Sequence, residues 1–366
     1  MIFHKHLCDL PVYEAGKPLE EVVANYDISP SDIIKLGSNE NPLGVSPSAR
    51  DAIVQNAHLA SIYPDDSYAE LKRALSKRYG VCEENLIIGS GSDQILEFCV
   101  RATCDSGRST LMAKTTFAMY EIYSRQCNAK VIKTPDFFHN LDSMFELYRE
   151  HKPALIFICT PNNPLGEALK KSEVLKFLSK LDEDCLVVLD CAYMEYCSYK
   201  DPEYAMCPRE ILGFPGVIYL GTFSKIYGLG GLRVGYGVAN SDLVRILNKL
   251  RPPFNITTLS LKAATASLND CGFLSQTLEN NFNEMSKYRD FAVKHGLNML
   301  DSYGNFVTLL LNDRLNSTRI SALLLQQGIV IRDLASYGLN AVRVTIGRPE
   351  QNDKLLERLS GVLALF

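Results

Sequence analysis

Short, uninterrupted apolar runs punctuate the middle of the chain: LIIG at 86–89, STLMA at 109–113, KVIK at 130–133, ALIFIC at 154–159, CLVVLD at 185–190, GVIYLG at 216–221 and LRVGYGVA at 232–239. Runs of this length without polar alternation predict strands buried on both faces. Between several of them lie stretches of helical period, among them SDQILEFCVRAT, LDSMFELYREH and SEVLKFLSKL. Strand followed by helix, repeated, predicts the α/β class: a mainly parallel, seven-stranded sheet covered on both faces. Ahead of this block, Ser67-Tyr68-Ala69-Glu70 reads as a capping box opening a helix with Leu71, Ala74, Leu75 and Tyr79 on one apolar face. After about residue 255 long helical patterns take over, one from about 272 to 295. Strand signals FVTLLL, IVIRDL and AVRVTIG then mix with helical stretches near 317–327 and 350–366. The expected organisation is an N-terminal arm and cleft lining at 1–40, a large domain at 41–254 and a smaller α+β domain at 255–366.

With 366 residues the chain is long enough for two domains and a cleft between them. Its 38 Lys and Arg against 42 Asp and Glu leave a net charge of −4, which provides no electrostatic footprint for nucleic acid or an anionic membrane. No window approaches the ~18 apolar residues of a membrane span, and the opening MIFHKHLCDLP lacks an apolar export core. Eleven scattered cysteines without a C-x-x-C pair give no zinc or disulfide framework, so no metal is expected and a reducing cytoplasm fits best.

Three constellations carry chemistry. Gly89-Ser90-Gly91-Ser92-Asp93-Gln94 follows a strand and opens a helix, but it lacks the third glycine and the later acidic residue of a dinucleotide fingerprint. What remains is a glycine-relieved turn whose helix-start N–H groups suit an anion, with a plain strand-to-helix turn as the alternative. Asp190 ends a continuous apolar run, at the carboxyl edge where parallel sheets bind ligands; a helix N-cap is the other reading. Lys225 sits in YLGTFSKIYGLGGLRVGY, among aromatic and apolar residues. Desolvation there would lower its pKa, and only a free amine condenses with a carbonyl, whereas a surface lysine among incidental glycines would do neither. Thr222, Ser224 and Arg233 add two hydroxyls and a guanidinium suited to a phosphate.

In this order and spacing, these motifs resemble those of fold-type I pyridoxal 5′-phosphate aminotransferases. More narrowly, the whole chain resembles histidinol-phosphate aminotransferases. The supporting stretches are Leu10-Pro-Val-Tyr13-Glu-Ala-Gly16-Lys17, Lys35-Leu-Gly-Ser-Asn39-Glu40-Asn41-Pro42-Leu-Gly44, Tyr63-Pro64-Asp65, Phe117-Ala-Met-Tyr120 and Thr160-Pro-Asn162-Asn163-Pro164-Leu-Gly166. The resemblance implies that Lys225 carries the cofactor, Asp190 pairs with its ring nitrogen, and Tyr193 and Asn163 bond its ring oxygen. Phe117 would stack on the ring. Ser92, Asp93, Thr222, Ser224 and Arg233 would surround its phosphate, with Tyr63 arriving from the partner subunit of a homodimer with shared sites. Tyr13, Asn39, Asn163, Arg332 and Arg343 would bind the substrates, a phosphate ester and a dicarboxylic keto acid. Aromatic amino-acid aminotransferases and threonine-phosphate decarboxylase-like enzymes share these motifs and remain alternatives, whereas a regulator built on the same fold would need an additional DNA-binding domain. Three positions depart from the family's usual pattern: Cys191 stands where Glu is frequent, Leu165 where Thr is usual and Gly221 where Arg is common.

Overall fold

The computed structural model describes residues 2–8, 10, 26 and 28–366. Its central sheet contains β1 (Leu86–Ser90), β2 (Ser109–Met112), β3 (Lys130–Lys133), β4 (Leu155–Cys159), β5 (Leu186–Asp190), β6 (Val217–Thr222) and β7 (Val234–Ala239). Their spatial order is β1-β7-β6-β5-β4-β2-β3. All pairings are parallel except those of β7 with β1 and β6. The apolar runs are continuous because both faces are buried: Ile88, Ile156, Val187, Leu189 and Tyr219 face one core, and Ile87, Phe157, Val188 and Leu220 face the other.

A second sheet comprises β8 (Asn298–Met299), β9 (Phe306–Leu310), β10 (Arg332–Asp333) and β11 (Ala341–Thr345), in the order β10-β11-β9-β8 and antiparallel throughout. Residues from helices Cys271–His295, Ser317–Leu325 and Pro349–Leu363 share its core. The run IVIRDL, read above as a single strand signal, divides between two pairings. Ile329–Val330 pairs in parallel with Ile34–Lys35, whereas Arg332–Asp333 joins β11. Helix Thr258–Ser267 packs against helix Pro47–Asn56. No described helix is long and apolar enough to cross a membrane.

The expected capping box at Ser67–Glu70 does not form. The helix runs Ala69–Tyr79 with Leu71 and Leu75 buried, but Tyr68 precedes it in the left-handed region with φ 55°. Asp65 does the capping: its carboxylate accepts from Ser67 N at 2.9 Å, Ser67 Oγ at 2.7 Å and Ala69 N at 3.2 Å. A charged acceptor two residues upstream outcompetes the serine hydroxyl, which is turned into a donor.

Gly221, one of the departures noted above, has a steric reason. A Cβ there would lie 2.2 Å from Tyr236 Cζ. Tyr236 is its register partner on β7, fully buried and bonded through its hydroxyl to Tyr79. Gly221→Ala should destabilise the protein by roughly 3 kcal/mol, as overpacking of a rigid core does. In denaturant titrations, combining it with Tyr236→Ala should cost clearly less than the sum of the two single changes.

Candidate active site

The carboxyl ends of β4, β5 and β6 open into a cavity of about 350 Å³ lined by Gly91, Ser92, Asp93, Phe117, Met119, Cys159, Asn163, Asp190, Ala192, Tyr193, Thr222, Ser224, Lys225 and Arg233. Ten of the expected residues are therefore together: Ser92, Asp93, Phe117, Asn163, Asp190, Tyr193, Thr222, Ser224, Lys225 and Arg233. Met119, Cys159 and Ala192 were not singled out from the sequence, and no residue-type signal distinguishes them.

Asp190 is 4% exposed. Its Oδ2 accepts from Tyr120 Oη at 2.7 Å and its Oδ1 from Ala192 N at 3.1 Å. Burial raises its pKa above the usual carboxylate range, with both hydrogen bonds opposing. Tyr120, itself fully buried and stacked on Phe157, thus holds the carboxylate in place. The Phe117-Ala-Met-Tyr120 stretch was visible in the sequence, but not this role.

Lys225 Nζ lies 3.5 Å from Ser38 O and 5.6 Å from the Tyr193 ring centroid. Burial, followed by the positive charge of Arg343, lowers its pKa to about 8; the carboxylates of Glu40 and Asp190 oppose the shift. Tyr193 Oη accepts from Asn39 Nδ2 at 2.9 Å. Asn39 is a buried residue at φ 54° that also bonds Thr345 on β11, so it stands behind Tyr193 rather than in the cavity wall.

At the other end, helix Gly91–Thr103 begins directly after β1, with first-turn N–H groups that no intrahelical carbonyl satisfies. Gly91, at φ 71°, leaves room for a guanidinium: a Cβ there would sit 2.7 Å from Arg233 Nη2. Arg233 Nη1 donates to Ser224 Oγ at 3.4 Å and Gly230 O at 3.2 Å, and Thr222 Oγ1 accepts from Ser224 N at 3.1 Å. Asp93 Oδ2 accepts from Tyr123 Oη at 2.7 Å.

Arg343, 8% exposed, donates to Asn163 Oδ1 and, at 2.7 Å, to Gly37 O. Arg332 is its register partner across the β10–β11 pair. Residues directly opposite share a face, so Arg332 and Arg343 lie on the same side of the sheet. Tyr63 does not line the cavity; it is 80% exposed and stacks on Phe254. Tyr13 lies outside the described residues.

These residues fit pyridoxal phosphate. Asp190 is a buried carboxylate facing a cavity with only neutral hydrogen-bond donors, a setting that favours a protonated ring nitrogen. The opposite end gathers hydroxyls, a guanidinium and a helix start around a turn that a Cβ at Gly91 would fill. Among the described residues, no cluster of His, Cys, Asp and Glu could hold a metal ion.

The lysine provides a direct test. In the unfolded chain its amine titrates near ~10.4, so between about 8 and that value the unfolded state binds more protons and stability rises with pH. Relative to Lys225→Met, the cofactor-free wild type should therefore be less stable at pH 7 and recover by pH 10, by at most about 3 kcal/mol in urea titrations.

The aminotransferase class I and II profile matches residues 31–359. Histidinol-phosphate aminotransferase of Wolinella succinogenes is 49% identical over 100% of both chains, and that of Sulfurimonas denitrificans is 53% identical over 98% of both. Among solved structures, histidinol-phosphate aminotransferase from Sinorhizobium meliloti in complex with pyridoxal-5′-phosphate superposes with a TM-score of 0.90 at 25% identity, covering 100% of this chain and 98% of that one. With its fold and the composition of its cavity in agreement with these matches, the chain belongs to the aminotransferase class I and II family.

Proposed function

We propose that the protein is a histidinol-phosphate aminotransferase, exchanging the amine of L-histidinol phosphate with 2-oxoglutarate to give imidazole-acetol phosphate and glutamate in histidine biosynthesis. The observation that carries the reaction is the Lys225 amine, brought to about 8 by burial and Arg343 in the same cavity as the buried Asp190. Full-length identity of about half to enzymes of that name supports the substrate.

When bound, pyridoxal phosphate supplies a carbonyl that exchanges amines and a ring that draws electrons from the carbon losing its proton. Asp190, oriented by Tyr120, would keep the ring nitrogen protonated. Ser92, Asp93, Thr222, Ser224 and Arg233 would hold the cofactor's phosphate, Tyr193 and Asn163 would bond its ring oxygen, and Phe117 would pack against the ring. Lys225 Nζ takes the proton from the amine-bearing carbon of the donor and, in the second half of the cycle, returns one to the carbonyl carbon of the keto acid. Arg332 and Arg343 recognise the anionic group of either substrate, since a guanidinium meets phosphate and carboxylate in the same bidentate way.

Tyr63 is exposed and does not line its own cavity, so it is assigned to the site of a second copy. The working unit is a cytoplasmic homodimer with shared sites.

The test is spectroscopic. Adding L-histidinol phosphate without keto acid should abolish the visible band of the cofactor-loaded protein, and 2-oxoglutarate should restore it. Lys225→Ala should lose at least ~10²–10⁴ of the turnover rate. A band that ignores histidinol phosphate but answers to another amino donor would retain the aminotransferase and discard the substrate; full turnover by Lys225→Ala would discard the mechanism.

A further inference from the structure

β2 and β4 pair only through Thr110↔Leu155 and Leu111↔Ile156, and then part. Successive N–H groups of a strand point to opposite sides. Thr160 N donates to Asp190 O on the β5 side at 2.9 Å, so Cys159 N points into the gap that β2 has left. A buried N–H without a strand partner needs another acceptor. His139 provides it: Cys159 N donates to His139 Nε2 at 3.3 Å.

This bond fixes the state of the imidazole. A backbone N–H can only donate, so Nε2 carries no proton and the ring is neutral with its proton on Nδ1. Nδ1 lies 3.4 Å from Glu167 Oε1 and donates to it. The His139 side chain is fully enclosed, so water offers no substitute partner. Glu167 Oε1 also accepts from Asn162 Nδ2 at 2.7 Å. Asn162, fully buried, accepts from Thr116 Oγ1 at 2.9 Å and donates to Thr115 O at 2.9 Å.

The neighbours of these residues give the chain of bonds its meaning. Thr116 precedes Phe117, Asn162 precedes Asn163, and Cys159 ends β4 beside Asp190; Phe117, Asn163 and Cys159 all line the Lys225 cavity. We propose that His139, a neutral imidazole of fixed tautomer, is a positioning residue that holds the cavity walls formed by Cys159, Phe117 and Asn163, acting directly on the first and through Glu167 and Asn162 on the other two. It touches none of the reacting groups. The proposal deepens the reading of the cavity as a cofactor site and rests on it.

Two measurements test it. Selective ¹⁵N labelling of the six histidines, with His139 assigned by loss of its signal in His139→Gln, should show a protonated Nδ1 and a bare Nε2 at neutral pH in cofactor-free and loaded protein alike. A proton on Nε2 would overturn the proposal, and this readout requires neither turnover nor a folded apolar variant. In the loaded enzyme, His139→Leu should lower kcat about tenfold or more, as small misplacements of reacting groups do. It should also move the pH midpoint of the cofactor's visible band by about half a unit or more. His139→Gln, which can still accept and donate, should restore most of both. A folded His139→Leu with lower thermal stability but unchanged midpoint and kcat, or a His139→Gln no better than His139→Leu, would reduce His139 to packing and overturn the proposal. If the wild type binds pyridoxal phosphate but transaminates a different donor, the kinetic comparison is made with that donor, and only the substrate assignment fails.

Discussion

The structure is organised around two opposite charges taken out of water in one cavity without being paired to each other. Asp190 spends its hydrogen bonds on Tyr120 and the Ala192 N–H, whereas Lys225 points at the Ser38 carbonyl. Had they met in contact, each would have held the other in its charged form and the amine would have been useless as a nucleophile. Held apart, the carboxylate is ready for a cation and the amine for a carbonyl. The sheet provides this separation: Asp190 ends β5, Lys225 follows the end of the adjacent β6, and the register Asp190↔Leu220 sets the step between them.

The second sheet is drawn into the same problem by a short stretch of chain that runs between the two. Ile34–Lys35 pairs with Ile329–Val330, Gly37 O accepts from Arg343, Ser38 O receives Lys225, and Asn39 bonds both Tyr193 and Thr345. Asn41 Nδ2 then donates to Ile226 O at 2.8 Å, one residue beyond the lysine. Asn39, at a positive φ, bonds Thr345 through both its N–H and its Oδ1 while its Nδ2 reaches Tyr193. Arg343 lowers the Lys225 pKa from the small sheet, so the amine's readiness depends on how the two sheets are tied together.

Much of this was legible in the sequence, for identifiable reasons. Strands buried on both faces leave continuous apolar runs, and all seven strands of the central sheet fall on the runs that predicted them. Asp190 and Lys225 were visible because a charge at the end of, or just after, such a run is costly and needs a purpose. What escaped depends on contacts across the chain. IVIRDL is apolar throughout its first half, and nothing local reveals that it serves two different sheets. The hydroxyl of Ser67 promised a cap, but the carboxylate of Asp65 was the stronger acceptor. Nothing local in the sequence marks His139, because its partners are 20 and 28 residues away.

The paired arginines show how far register alone carries a functional argument. Like charges directly opposite on one face of an antiparallel pair repel, and a fold selected for stability alone would avoid Arg332 facing Arg343. Arg343 donates to the side-chain oxygen of Asn163 and the backbone carbonyl of Gly37. Among the described residues, no ion pair joins Arg332 to a carboxylate. An anion shared by both side chains would offset that repulsion, and a dianionic phosphate would offset more of it than a single carboxylate. A shift of one residue in the β10–β11 register would send one arginine to the opposite face and abolish the pair. The pairing of two short strands, one of them only two residues long, thus keeps both arginines on one face.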